Sequence, residues 1–278
     1  MPMPSKLNET QEVYGFLWKQ VDSGLPVPRW HFNDMQDMVP ENIVRGKIGL
    51  EAGSGCGYDT HIMAKNNPGV KIMSLDISEG VHESKKINAA LKNVGIIQGS
   101  VLEIPFTSDL FDFVYSYGVL HHTPDPNQGL REFKRVLKTG APVFIYLYED
   151  HSENFLKCTA INVIDLVRAL TTRINKRVLY LLCAIMSPLV FCIFTVPARL
   201  LGAFSFTKKA ADTIPFNFGK TPLSLTGDLY DRFRAPIEYR YSRSEVGDLL
   251  KKNGFVKVTV GHLKKKAGWL AWGYKNTC

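Results

Sequence analysis

The sequence predicts a doubly wound α/β sheet of seven strands, with a helical insertion before the last two. Three observations carry this expectation. Five short apolar runs, at 47–52, 69–75, 94–98, 110–117 and 142–148, alternate with polar or amphipathic stretches, the rhythm of parallel strands joined by crossover helices. The first run opens into Gly53-Ser-Gly-Cys-Gly57, a turn with glycine at every second residue. Two further runs, 254–260 and 269–274, lie close enough for a hairpin, and an apolar block at 150–219 that such a sheet does not need precedes them.

The 278 residues suffice for one large α/β domain with a sizeable insertion, and a hydrophobic content of 45% supports a packed core. The formal charge of +8 is scattered along the chain, so nucleic acid is not demanded and an anionic membrane surface would be served equally well. The five cysteines, at 56, 158, 183, 192 and 278, form no C-x-x-C pair and have no histidine at zinc spacing. That predicts reduced thiols in a cytosolic setting and no metal site. The first residues lack the apolar core of a signal peptide, which adds to the cytoplasmic expectation.

Residues 8–20 read as a helix capped near Asn8 or Thr10, with Val13, Phe16 and Leu17 on one side and Tyr14 and Trp18 on the next. With the Pro-punctuated link 24–28 it forms an N-terminal cap over 1–40, packed on the main domain or closing over its site. The core at 41–149 starts with the strand that carries Glu51 and runs into the glycine turn, and a helix begins near Tyr58. Glycine there lets the backbone take conformations closed to other residues and lets a ligand approach the main chain. The dinucleotide pattern G-x-G-x-x-G fails in both registers, since its third glycine would fall on Tyr58 or Thr60. The second strand ends on Asp76, 25 residues after Glu51. An acid there sits in the crevice beside the first loop, where a carboxylate can accept from both hydroxyls of a ribose; the alternative is a cap on the helix starting at Ile77 or Ser78. A Lys-rich helix over 79–92 and a strand over 94–98 follow.

Three segments taken together, Glu51-Ala-Gly-Ser-Gly-Cys-Gly57, Gly99-Ser-Val-Leu-Glu-Ile-Pro-Phe106 and Phe111-Asp-Phe-Val-Tyr-Ser-Tyr-Gly-Val-Leu-His-His122, resemble the motifs of class I S-adenosylmethionine-dependent methyltransferases of the UbiE/type-11-like domain family. The likeness covers 45–149 and extends to 240–275. It implies a Rossmann-like sheet whose last strand runs antiparallel, and S-adenosylmethionine as cofactor. By the same resemblance Glu51, Gly53, Ser54, Gly55 and Gly57 meet its amino-acid end, Asp76 and Ile77 its nucleoside, Ser100 and Val101 the adenine, and Tyr117 completes the set. Ser100 stands where relatives usually carry an acid. The implied activity is methyl transfer to a small acceptor on oxygen or carbon, lipophilic or glycan-linked. His121, His122 and Tyr148 are the candidate bases for a hydroxyl acceptor, or structural hydrogen-bonders. The alternative is a weakened, methyltransferase-like scaffold at a membrane. An RNA methyltransferase is disfavoured because Tyr115-Ser-Tyr-Gly118 replaces the Asn/Asp-Pro-Pro-aromatic pattern of base-amine methylation, and no nucleic-acid partner is expected.

The insertion holds 21 uncharged residues, 178–198, long enough for a membrane span. A single crossing would part the last two strands from their sheet, and a fold-back at Pro188 leaves arms of roughly 15 Å against a ~30 Å hydrocarbon core. The expectation is therefore a lid of packed helices over an apolar acceptor pocket, or an interfacial element touching a membrane through 155–206. The last segment, 220–278, supplies a Tyr- and Arg-rich acceptor loop over 221–241, a helix announced by the capping box Ser242-x-x-Glu245, and the hairpin.

Overall fold

The computed structural model of the protein describes residues 3–20, 31–262 and 267–276; the link 24–28, Trp30 and Cys278 lie outside them. Strands β1 (Ile48–Ala52), β2 (Lys71–Asp76), β3 (Val94–Gln98), β4 (Phe113–Tyr117), β5 (Pro142–Leu147), β6 (Phe255–His262) and β7 (Trp269–Lys275) form one sheet in the order β3-β2-β1-β4-β5-β7-β6. The first five are parallel, and β7 runs antiparallel between β5 and β6. The expected sheet and hairpin are both present. Strand order reverses at β1, so the carboxyl ends of β1 and β4 bound the crevice where open sheets of this kind take ligands.

The strands read as unbroken apolar runs because both faces are covered. Alternate residues of β5 show this directly: Val143, Ile145 and Leu147 join one core with Leu130 and Phe133, while Phe144 and Tyr146 join the other with Met35 and Met63. Helices α1 (Met3–Lys19) and α2 (Phe32–Gln36) precede β1, and α3 (Tyr58–Asn66), α4 (Gly80–Ile87) and α5 (Pro126–Val136) are the crossovers. The α1 helix starts before the expected cap; Thr10 sits mid-helix with its hydroxyl donating to Lys6 O (3.0 Å). The α4 helix stops short of Lys92 because Asn88 turns its amide onto Ser84 O and Gly57 O.

Of the described residues, 3–18, 31–149 and 237–276 make up one compact unit, and 19–20 with 150–236 make up another. The second unit holds α6 (Phe155–Thr171), α7 (Lys176–Val190), α8 (Val196–Gly202), α9 (Lys208–Thr213) and α10 (Thr226–Arg234). The chain does not fold back at Pro188. A π-helical turn, Phe191–Thr195, joins α7 to α8 in one 27-residue helix. Helix α11 (Arg243–Lys252) carries the expected capping box, with Ser242 and Glu245 bonded reciprocally.

Candidate active site

The glycine turn leaves β1 with Gly53, Gly55 and Gly57 all at positive φ (83°, 54° and 78°), a backbone that side chains rarely tolerate. The N–H groups of Gly53 and Ser54 both donate to Leu75 O, which ties the turn to the end of β2. Packing restricts the turn as well: a methyl on Gly53 would fall 2.2 Å from Val119 Cγ2, and one on Gly55 would fall 2.7 Å from the Trp18 ring. Helix α1 thus lies over the turn, with Trp18 against Gly55 and Gly80 and the Tyr14 ring 5.3 Å from that of His122. Ser54 Oγ accepts from Ser74 Oγ (2.7 Å) beneath it.

Asp76 closes the turn from the β2 side. One carboxylate oxygen accepts Gly55 N–H (2.7 Å) and the other accepts both the N–H (2.8 Å) and the hydroxyl (2.6 Å) of Ser78. Burial raises its pKa, and these hydrogen bonds oppose the rise. A carboxylate offers about four lone-pair sites, so one is left for a ribose hydroxyl, and rotation of the Ser78 hydroxyl frees a second. Capping and ligand binding are compatible here. Ile77 is half-buried beside it. Glu51 is buried and accepts from the Thr60 hydroxyl; burial, then the nearby Asp59, lifts its pKa well above the ordinary value.

Asp59, which sequence reasoning missed, is the brace of this region. It accepts from His31 N (2.8 Å), Phe32 N (3.0 Å) and Tyr115 Oη (2.7 Å). Its position in the first turn of α3 gave no signal, because first-turn acids are common for the helix dipole alone. Gly99 N–H donates to Asp76 O (2.9 Å), which brings Ser100 and Val101 to the same edge. Ser100 Oγ accepts Leu102 N–H (3.1 Å) and keeps its own proton to donate, while Val101 is anchored in the core.

At the ends of β4 and β5 the aromatic side chains converge. Tyr117 is stacked between His31 (4.0 Å) and Tyr146 (4.2 Å, planes 3° apart). A 3₁₀ turn, Leu120–His122, then places two neighbouring histidines in unlike settings. His122 Nδ1 donates to Ile237 O (2.7 Å), which fixes the orientation of its ring. His121 is completely buried, its ring centroid 3.9 Å from Tyr148 and 4.3 Å from His122, and neither of its nitrogens is hydrogen-bonded among the described residues. Burial, then the charges of His122 and Arg240, pushes its pKa well down, so it is a neutral imidazole with a free lone pair. The far end of the predicted acceptor loop lies along this turn: Tyr239 N donates to His121 O (2.9 Å), and Arg240 stands over the Tyr148 ring at 6.0 Å. At Gly118, a side chain would meet nothing within 4 Å.

Residues 50–145 match a family described as a methyltransferase domain. The chloroplastic 2-methyl-6-phytyl-1,4-hydroquinone methyltransferase 1 of Oryza sativa subsp. japonica is 35% identical over 130 residues, 46% of this chain and 39% of that protein. A demethylmenaquinone methyltransferase of Staphylococcus aureus (strain JH9) is 32% identical over 116 residues, 41% of this chain and 47% of that protein. The chain spans less than half the length of these curated relatives. An S-adenosylmethionine-dependent methyltransferase of Thermotoga maritima shares the fold, with a TM-score of 0.50 at 16% identity over 88% of each chain.

Proposed function

We propose, from the match of residues 50–145 to this methyltransferase-domain family, that the chain methylates a small lipophilic acceptor carrying a quinol or related phenol ring. S-adenosylmethionine, when bound, supplies an electrophilic methyl group on a sulfonium that is already an excellent leaving group. Glu51, the 53–57 turn, Asp76, Ile77, Ser100, Val101 and Tyr117 are the residues that would hold it, and the acceptor capacity left on Asp76 fits that task. What remains for the protein is to align the acceptor and exclude water.

His121 carries the reading. A core histidine ordinarily bonds through at least one nitrogen, and leaving a buried polar group unpaired costs about 1–3 kcal/mol. A ligand hydroxyl meeting this imidazole would remove that cost. A phenolic O–H meeting the ring nitrogen would pass its proton there, and the oxygen's electron pair would make an ortho or para carbon nucleophilic toward the methyl group that S-adenosylmethionine would supply, with S-adenosylhomocysteine as the leaving group. Loss of that carbon's hydrogen as a proton restores the aromatic ring. The His31–Tyr117–Tyr146 stack offers a flat flank to a planar ring. The hydroquinone and demethylated quinone in the names of the two relatives support the acceptor class and favour carbon over oxygen.

The test is calorimetric titration with S-adenosylhomocysteine, followed by transfer from labelled S-adenosylmethionine to a demethylated quinol, a simple catechol, a sugar glycoside and bulk RNA. Transfer to the quinol is expected. No binding of the homocysteine product, or transfer to RNA alone, sinks the proposal, and the former outcome favours the scaffold alternative.

A further inference from the structure

The second unit shows an apolar surface that its own packing leaves open. Helix α6 hangs on α10 through Arg168 Nε to Arg232 O (2.7 Å) and Thr171 Oγ1 to Phe233 O (2.7 Å), and its opposite edge exposes Leu166 (74%) and Leu170 (68%). The long α7–α8 helix is split more sharply. Its inner edge, with Leu179, Tyr180, Cys183, Ser187, Phe191 and Thr195, is buried. Its outer edge exposes Leu181, Ile185, Leu189 and Ile193 by 53–65%. Those four recur every fourth residue, one helical stripe of roughly 20 Å, and no charge interrupts the helix between Arg177 and Arg199. A water-facing edge this long and this aliphatic is a docking surface rather than scattered surface leucine.

We infer that this stripe lies in the headgroup–acyl boundary of an anionic bilayer, parallel to the membrane plane. Charge supports lipid as the occupant. Lys176 and Arg177 stand at one end of the stripe and Arg199 at the other, and residues 150–215 carry eight basic side chains against four acidic, a net +4. Basic ends around an aliphatic middle complement phosphate headgroups around acyl chains. A second copy is a poor occupant, because a two-fold antiparallel pairing sets Arg199 of each helix against Lys176 and Arg177 of the other. A span fits no better, although the helix is long and apolar enough to cross a membrane. Ser187 Oγ donates to Pro222 O, Thr195 Oγ1 to Phe216 O and Arg199 to Gly219 O, and the helix packs along α10, in which Asp228, Asp231, Arg232 and Arg234 are four of nine residues. Crossing would carry those charges into hydrocarbon or strip the inner edge bare. This inference stands apart from the methyl-transfer reading, since it concerns where the second unit rests.

Flotation of the full chain with phosphatidylcholine vesicles, with and without phosphatidylglycerol, tests it. Binding is expected on the anionic vesicles, weakening as salt rises. The pair Leu181→Asp and Ile185→Asp should lower the partition coefficient at least about tenfold. Lys176→Glu with Arg177→Glu should do the same on anionic vesicles only, since each basic residue at such a surface contributes about fivefold. Retained S-adenosylhomocysteine binding, or an unchanged near-ultraviolet dichroism spectrum where that ligand does not bind, confirms that the variants are folded. Absence of flotation, a dimer in sedimentation that Leu181→Asp dissolves, or wild type that resists alkaline carbonate extraction overturns the inference.

Discussion

Asp76 has two tasks that substitution can separate. In Asp76→Ala the N–H groups of Gly55 and Ser78, now bonded at 2.7 and 2.8 Å, lose their acceptor; the Ser78 hydroxyl can turn to another. Two buried N–H groups left unpaired cost about 2–6 kcal/mol together. Relief of the carboxylate's own burial, which already raises its pKa, offsets part of that, leaving a loss of about 2–4 kcal/mol in urea unfolding. Asp76→Asn keeps one carbonyl oxygen for Ser78 but turns an amide donor toward the Gly55 N–H, so about 1–3 kcal/mol is expected. If the carboxylate also takes a ribose hydroxyl, the Asn variant loses a charge-assisted bond of about 1.5–3 kcal/mol, a roughly 10- to 150-fold weaker Kd for S-adenosylhomocysteine. Calorimetry at a temperature where circular dichroism shows the variant folded reads this directly. A destabilised Asp76→Asn that binds within twofold of wild type would show that Asp76 only braces the turn.

Three further outcomes follow from the same site. Glu51 has a folded-state pKa well above 4.5, so its contribution to stability is complete below the unfolded value and is lost as pH rises through the folded one. The stability of wild type relative to Glu51→Gln should therefore fall with pH, by up to about 1.4 kcal/mol per unit, and parallel unfolding curves from pH 4 to 8 would refute this. His121→Phe removes a base but no hydrogen bond, so kcat should drop by about 10²–10⁴ with homocysteine-product affinity and unfolding midpoint nearly unchanged; an unaltered kcat removes His121 from the chemistry. Trp18→Ala uncovers Gly55 and should speed product dissociation about tenfold in stopped-flow, a loss of about 1.4 kcal/mol; an unchanged off-rate means that α1 is only a packing element.

How much of this was legible in the chain depended on how local the determinants are. Strands β1, β2, β4 and β5 could be read because both their faces are covered, so apolar residues run without a break, and the G-x-G-x-G turn could be read because its backbone needs glycine whatever surrounds it. The capping box Ser242–Glu245 spans four residues and was equally visible. Pro188 by itself could not say how the helix runs, because whether a helix continues past proline depends on its inner edge staying buried, and the partner is α10, a polar segment some forty residues later that no periodicity in 178–198 announces. The two histidines mark the sharper limit. His121 and His122 are chemically identical neighbours in one turn, yet His122 is fixed as a hydrogen-bond donor by Ile237 O, 115 residues away, and His121 is left bare by the same packing. Spacing placed both in the turn that follows β4, and both are buried there. Which of them is tied to the backbone is decided by the return of a distant loop, so exchanging their settings would take a change at Ile237–Tyr241 rather than at the histidines themselves.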